Sequence, residues 1–149
     1  MEKIIDMQIE EIAKGILLLG FLFVAAWIDY KNKELPLVLI ILMALFGIVF
    51  QIVVRQVAFW NLFLGCLIGI LFLGIGKITR QALGYGDGLI LVATGIFLGF
   101  SENVLLLLLG VLLASVFSIG LLMFRKKTKK DEIPFMPFLF AGYVFLLMF

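Results

Sequence analysis

The sequence predicts an all-α, polytopic membrane protein with six transmembrane helices. Its mean hydropathy is +1.26, its hydrophobic fraction is 64% and its charged fraction is 15%, whereas soluble domains contain about 45–50% apolar and about 25% charged residues. Six uncharged apolar runs produce this bias, and short charged or glycine-rich connections separate them. With 149 residues, the chain is expected to form a single membrane-embedded domain over residues 1–149.

The six predicted spans differ in length. They lie near residues 15–28, 37–54, 59–76, 89–100, 104–124 and 135–149. Because about 20 residues are needed to cross the hydrocarbon core, the short first and fourth runs must recruit flanking residues. Residues 1–14 are predicted to form a juxtamembrane leader helix, since Ile5, Ile9 and Ile12 recur at helical spacing. This segment has a net negative charge, unlike a secretory signal, so we expect it to remain in the mature protein.

Lysine and arginine are distributed unevenly between the two sides of the predicted bundle. One side carries three of the 12 basic residues, namely Lys3, Lys14 and Arg55. The other side carries Lys31, Lys33, Lys77, Arg80, Arg125, Lys126, Lys127, Lys129 and Lys130. Short loops rich in basic residues face the cytoplasm. We therefore expect a multi-pass protein of the cytoplasmic membrane with both termini outside.

The residues that the chain lacks exclude several kinds of chemistry. There is no histidine and a single cysteine, Cys66, within an apolar run. A Ser-His triad, a Cys-His pair and a Cys/His zinc site are therefore excluded, and we predict no metal and no cofactor. Cys66 is interpreted as a small packing residue. The net charge of +2 and the scattered basic residues do not favour nucleic acid as a partner.

Two aspartates are predicted to lie at the same cytoplasmic edge of the membrane. Asp29 ends the first span and Asp87 begins the fourth. A carboxylate at the membrane boundary is costly unless it faces water or a partner, which favours a functional role. Two structural alternatives remain open: an ion pair of Asp29 with Lys31 or Lys33, and helix capping by Asp87.

Glycines surround the second aspartate. Gly84, Gly86 and Gly88 alternate with Tyr85 and Asp87, and we expect them to permit extended or left-handed backbone and a close approach of substrate. Two aspartates that share one proton can hydrolyse an amide, because the ionised carboxyl activates water while the neutral carboxyl polarises the carbonyl. The pattern thus predicts Asp29 and Asp87 as a catalytic pair, with the glycines as backbone support.

The motif Gly84-Tyr85-Gly86-Asp87 matches the GxGD signature of membrane aspartyl proteases. Together with two further motifs, it resembles the pattern of one family of such enzymes, the type IV prepilin leader peptidases. Asp29 with the downstream Leu35-Pro36 is similar to the family's first aspartate and its Ile/Leu-Pro. The stretch Ile133–Leu139 resembles the family's IPFGPFL block before the last helix. The motifs follow the family order and cover essentially the whole chain.

The resemblance implies an aspartyl endopeptidase that removes the short basic leader from prepilins or pilin-like proteins at the cytoplasmic face. Asp29 and Asp87 would be the catalytic dyad. Long family members also carry a methyltransferase domain with a four-cysteine zinc site, so this chain resembles the short form, without N-methylation. It departs from the common pattern at Leu37, Leu89 and Met136. The departures concern substrate positioning more than cleavage chemistry.

Several other residues carry weaker predictions. Acidic side chains at Glu34, Asp131 and Glu132 could attract a basic leader, although a solvated charged loop explains them equally well. Gln51 and Asn61 are expected to bridge helices within the membrane. Pro134 and Pro137 are expected to mark the start of the last helix.

Two other functions are compatible with part of the pattern. In a small transporter or proton-coupled membrane protein, Asp29 and Asp87 would form a carboxylate relay. A catalytically silent scaffold for pilus or secretion machinery would need neither carboxylate. The combination of GxGD, Leu-Pro and Pro-Phe-x-Pro-Phe favours the peptidase.

Overall fold

The structure, a computed structural model, describes residues 2–54, 57–79, 84–124 and 133–149. They form the helices α1 (Glu2–Asn32), α2 (Leu37–Val54), α3 (Phe59–Ile78), α4 (Tyr85–Met123) and α5 (Met136–Met148). No β-strand occurs in these ranges, which confirms the all-α class. By length and composition, α1 to α4 can cross a membrane, and α5 is a shorter apolar helix. The chain is therefore a multi-pass membrane protein.

α1 is a continuous helix that buries one face. Leu18, Leu22 and Asp29 follow one another on that face and are buried, while apolar side chains such as Phe23 and Trp27 are exposed on the other faces. A helix that is apolar on every side is typical of a membrane span. The predicted leader helix over residues 1–14 continues into the first span without a break from Glu2.

α1 ends in a tight left-handed turn. Lys33 has a φ of 56°, and its N–H donates to the carbonyl oxygen of Asp29 at 2.8 Å. A left-handed residue just after the last helical turn is a common helix terminator, although glycine usually occupies it. Pro36 follows directly before α2, and its carbonyl accepts the N–H of Leu39 at 3.0 Å. The connection between α1 and α2 is consequently short and constrained.

α4 reverses direction at Gly99. This residue has a φ of 75° and a ψ of −167°, which are not helical angles. The Asn103 Nδ2 atom donates to the Leu91 carbonyl at 2.9 Å, whereas 12 residues of straight helix would separate the two by about 18 Å. The two parts of α4 therefore fold back on each other.

The predicted spans 89–100 and 104–124 correspond to these two parts of α4. Their boundary was predicted wrongly, since residues 101–103 are helical and the reversal lies at Gly99. Asn103 is fully buried because its side chain bonds inward, to Leu91 and to the Thr94 hydroxyl at 2.6 Å. Of this polar triplet, Asn103 thus lies in the bundle interior, whereas Ser101 is exposed and Glu102 is half-buried.

Polar side chains from two other helices hold this reversal. The Gln51 amide in α2 donates to the carbonyl oxygens of Ile96 and Phe97 at 3.0 and 3.3 Å. In α3, the Asn61 side-chain oxygen accepts the N–H of Phe100 at 2.9 Å. Backbone groups freed at a helix break need such partners in an apolar environment. The prediction that Gln51 and Asn61 bridge helices is confirmed.

α3 and the first part of α4 approach through glycine. A Cβ added at Gly65 would lie 2.7 Å from the carbonyl carbon of Gly99, and one added at Gly95 would lie 2.5 Å from that of Gly65. A Cβ at Gly69 would collide with the backbone nitrogen of Val92. Small residues allow this close backbone contact between membrane helices. The segment that carries Asp87 is therefore packed directly on α3.

α5 packs between α1 and the second part of α4. Its residues Leu139 and Tyr143 belong to the buried core. Pro137 lies in the first turn of α5, as predicted; proline is tolerated there because the first turn has unpaired N–H groups in any case. Pro134 precedes the helix. The N-terminus of α5 is thereby directed at the end of α1.

Candidate active site

One large cavity, of about 1250 Å³, opens where α1 ends and where α4 and α5 begin. Its wall consists of Asp29, Lys33, Glu34, Leu35, Phe72, Gly84, Tyr85, Gly86, Asp87, Val111, Ala114, Ser115, Ser118, Ile119, Ile133, Pro134 and Phe135. All three motifs of the sequence analysis contribute to this wall. The structure thus brings the two predicted aspartates to the same cavity, from segments far apart in the chain.

Asp29 is held by the N-terminus of α5. Its side chain is in the last turn of α1 and only 7% exposed, and its Oδ2 atom accepts the backbone N–H of Met136 at 3.0 Å. The alternative that Asp29 pairs with Lys31 or Lys33 is wrong. The ion pair found among the described residues is Lys14–Glu102, at 3.7 Å.

Asp87 lies in the first turn of α4, inside the helix rather than before it. The N-cap position is occupied by Gly84, and no side chain makes a capping hydrogen bond there. The alternative that Asp87 is a helix cap is therefore wrong. Its half-buried side chain faces the cavity instead, where the positive end of the helix dipole favours an acidic group.

The glycines of the motif provide space rather than unusual backbone angles. Gly84 is extended, with φ −64° and ψ 132°, and Gly86 and Gly88 are helical. The expected extended backbone is thus found at Gly84, whereas the left-handed alternative is not found at these three positions, since the described glycine with positive φ is Gly99. A Cβ at Gly84 would lie 2.9 Å from the Asp87 carboxylate, and one at Gly88 would lie 2.6 Å from Leu73.

The remaining motif residues take different positions. Tyr85 is 48% exposed and lines the cavity. The side chain of Leu35 packs directly against Gly86: a Cβ added at Gly86 would lie 3.0 Å from Leu35 Cδ1. Leu89, one of the departures from the motif pattern, packs against the hydrophobic core.

Of the three predicted leader contacts, one can be located. Glu34 is exposed and lines the cavity beside Lys33. Asp131 and Glu132 lie outside the described residues. An acidic side chain at the cavity mouth is therefore in a position to meet a basic peptide.

The wall contributed by the second part of α4 was not predicted. Val111, Ala114, Ser115, Ser118 and Ile119 recur at three- and four-residue spacing and line one side of the cavity. In the sequence these residues look like any other apolar span. The cluster of small side chains among them is the feature that could have indicated a cavity wall. The hydroxyls of both serines donate to carbonyl oxygens of their own helix at 2.7 Å.

The cavity wall presents the carboxyl groups of both Asp29 and Asp87. Within the described ranges, no group of three or more His, Cys, Asp or Glu side chains is arranged to hold a metal ion. Two carboxyl groups at an open cavity can act as general base and general acid on a bound amide and a water molecule. Cys66, by contrast, lies away from the cavity wall, with its sulfur 3.6 Å from the Val92 carbonyl.

Comparison with known proteins gives the family. A sequence profile of the type IV leader peptidase family matches residues 16–119. The chain is 32% identical over 140 residues to a prepilin leader peptidase/N-methyltransferase of Aeromonas salmonicida (strain A449), covering 89% of this chain and 48% of that protein. Identity and coverage are the same for the Aeromonas hydrophila protein of that name.

The chain spans about half the length of the curated relatives it matches. No solved structure matches it significantly. The profile match nevertheless covers more than half of the chain and includes both Asp29 and Asp87. On these grounds, the chain belongs to the type IV leader peptidase family.

Proposed function

We propose that this protein is a membrane aspartyl endopeptidase that removes the short basic leader peptide from prepilins or pilin-like proteins. The observation that carries the proposal is the position of Asp29 and Asp87 on the wall of one open cavity. Membership of the leader peptidase family supports the same reaction. Asp29 and Asp87 are the proposed catalytic dyad, and Gly84, Tyr85, Gly86 and Gly88 its supporting motif.

The proposed reaction uses the two carboxyls with one proton between them. The ionised carboxyl takes a proton from water, whose oxygen attacks the carbonyl carbon of the scissile amide, while the protonated carboxyl donates to the carbonyl oxygen. The resulting diol then collapses. One carboxyl protonates the amide nitrogen as the C–N bond breaks, and the other recovers the hydroxyl proton. The dyad ends with one proton, as it began.

The basic leader fits the charge of the cavity. Three acidic side chains, Asp29, Glu34 and Asp87, and one basic side chain, Lys33, belong to the described wall. Complementary charge raises the rate at which a basic peptide is captured. Glu34 is the proposed leader contact, and Asp131 and Glu132 are further candidates. The relatives named above are called prepilin leader peptidase/N-methyltransferases, which supports a prepilin as substrate.

The proposed topology has six membrane crossings in a single domain. The reversal of α4 at Gly99 supports counting its two parts as separate crossings. The predominance of basic residues in the loops on the side of Asp29 and Asp87 supports a cytoplasmic active site, with both termini outside. The single cysteine of residues 1–149 cannot supply a four-cysteine zinc site. The activity proposed for these residues is accordingly cleavage without N-methylation.

Co-expression with a tagged prepilin tests the proposal. Wild type, Asp29→Asn and Asp87→Asn are compared for leader removal on a gel, and membrane fractions verify that each variant is inserted. Removing either proton-transfer group should lower cleavage by at least about 100-fold. The matched control is Asp6→Asn, an exposed aspartate on α1, which should cleave like wild type.

The same experiment separates the competing functions. If either dyad variant cuts at the wild-type rate, the catalytic pair is wrong. If wild type cuts none of several prepilins, the peptidase proposal fails. In that case, proton or solute flux into vesicles is measured. Flux that wild type supports and both Asn variants abolish would identify a carboxylate relay, whereas flux that is the same in wild type and in both variants would indicate a scaffold.

A further inference from the structure

The two segments that carry the aspartates have little direct contact with each other. α1 packs mainly against α5, and among the helix pairs of the described bundle that touch, the contact between α1 and α4 is the smallest. The distance between Asp29 and Asp87 must therefore be set elsewhere than along the lengths of α1 and α4. The connection that follows α1 contains one residue in a position to do this.

Leu35 lies on the backbone of α4 next to Asp87. A Cβ built on Gly86 would be 3.0 Å from Leu35 Cδ1, 3.2 Å from its Cβ and 3.5 Å from its Cγ. These separations mean that the Leu35 side chain fills the space a side chain at position 86 would need. Leu35 is half-buried and also lines the cavity. Gly86, the residue before Asp87, is thus covered by the side chain of Leu35, which lies in the connection after α1.

The position of Leu35 is itself tied to Asp29. The Asp29 carbonyl accepts the Lys33 N–H at 2.8 Å, and Lys33 turns the chain with a φ of 56°. On the other side, Pro36 has a fixed φ and leads directly into α2. Leu35 is held between these two constraints. A shift of its side chain is therefore transmitted to the first turn of α4.

We propose that Leu35 is a positioning residue, which sets the placement of Asp87 relative to Asp29 by packing on Gly86. The inference rests on the proposed function, since it concerns the geometry of the dyad. It explains the leucine of the Leu-Pro pair and the glycine before Asp87 together. The large side chain of Leu35 leaves no room for a side chain at position 86. Leu35 itself does not touch the reacting atoms.

Enlarging residue 86 and then shortening residue 35 tests this role. Gly86→Ala should push the first turn of α4 away from Leu35 and lower kcat at least tenfold, with KM within twofold of wild type. Leu35→Ala in the same chain removes the Cγ and Cδ1 atoms that the new methyl group meets. The double variant should recover at least a third of wild-type kcat. Without such recovery, in a protein that unfolds at the same temperature as Gly86→Ala, the proposal is overturned.

Two controls make the exchange specific. Gly88→Ala meets Leu73 rather than Leu35, so Leu35→Ala should not restore its activity. Gly74→Ala on α3 meets nothing within 4 Å and should leave kcat unchanged. Rescue of Gly88→Ala by Leu35→Ala would show a general loosening of the bundle, and it would contradict a contact-specific role.

A disulfide cross-link tests the contact between positions 35 and 86 independently of peptidase activity. Leu35→Cys with Gly86→Cys, in a Cys66→Ala background, should form an internal disulfide, because the two Cβ positions are 3.2 Å apart and a separation of a few tenths of an ångström more brings them into the range of about 3.5–4.5 Å that a disulfide needs. Protection from a maleimide reagent, reversed by reduction, measures it. If wild type cleaves no prepilin but the cross-link forms, the peptidase proposal fails and the contact stands. If the cross-link does not form, the positioning proposal fails, whatever the activity of wild type.

Discussion

The backbone N–H of Met136 donates a hydrogen bond of 3.0 Å to the Oδ2 atom of Asp29, across 107 positions of the chain. Met136 is the first residue of α5, and the N–H groups of a first helical turn have no partner within their own helix. The Asp29 carboxylate supplies that partner from another helix. The last helix of the bundle and the first aspartate therefore hold each other in place.

This hydrogen bond predicts different stabilities for two substitutions of Asp29. Asp29→Asn keeps a side-chain oxygen for the Met136 N–H, whereas Asp29→Ala removes the acceptor. Loss of such a capping acceptor costs about 0.5–2 kcal/mol. Thermal unfolding in detergent should therefore rank Asp29→Ala below Asp29→Asn, with neither variant cleaving prepilin. Equal unfolding temperatures would contradict the role of the hydrogen bond.

Gly99→Ala is expected to destabilise the bundle. The φ of 75° and ψ of −167° at this position belong to a region that is essentially limited to glycine, at a cost of about 1–3 kcal/mol for other residues. Gly120→Ala, in the same helix, meets nothing within 4 Å and should be neutral or stabilising, by up to about 1 kcal/mol. Circular dichroism during heating measures both. A Gly99→Ala protein as stable as Gly120→Ala would argue against the reversal.

The serines of the cavity are expected to be dispensable for chemistry. Ser115 and Ser118 already donate their hydroxyl protons to carbonyl oxygens of their own helix. The double variant Ser115→Ala/Ser118→Ala should cleave prepilin within a fewfold of wild type, whereas loss of a proton-transfer group costs about 100- to 10,000-fold. Initial rates of leader removal measure the difference. A loss of that size would place a serine in the mechanism.

Glu34→Gln is expected to weaken capture of the basic leader. Because Glu34 is exposed, its pairing with a basic side chain contributes about 0.2–1 kcal/mol, which corresponds to no more than about fivefold in kcat/KM. High salt should remove the difference from wild type, since it screens exposed charges. Glu11→Gln, an exposed glutamate on α1, is the matched control. An effect that persists unchanged in high salt would contradict an electrostatic role.

Much of this architecture could be predicted from the sequence because membranes constrain composition strongly. Apolar runs separated by charged connections identified α2, α3 and α5 close to their observed bounds, whereas the predicted leader helix over residues 1–14 and the span over residues 15–28 form the single longer helix α1. The placement of Asp29 and Asp87 followed from counting crossings, which puts the end of the first run and the start of the fourth on one side. The family resemblance then rested on motifs that the structure gathers around one cavity.

The features that were missed depend on contacts between distant segments. Residues 101–103 look like a loop because they are polar, yet Asn103 bonds inward to Leu91 and Thr94. The glycines around Asp87 suggested unusual backbone angles, whereas their purpose is to admit Leu35, Leu73 and the Asp87 carboxylate itself. Local patterns reveal which residue is small or polar. They do not reveal which neighbour makes that property necessary.

The origin of the cavity wall determines when the proposed site can be assembled during synthesis. Its residues come from segments that begin at Asp29 and end at Phe135, and the donor to Asp29 is contributed by Met136. A ribosome must therefore translate almost the entire described chain before the wall is complete. A nascent chain that already contains Asp29 and Asp87 still lacks α5, so the proposed active site is incomplete until α5 has been synthesised.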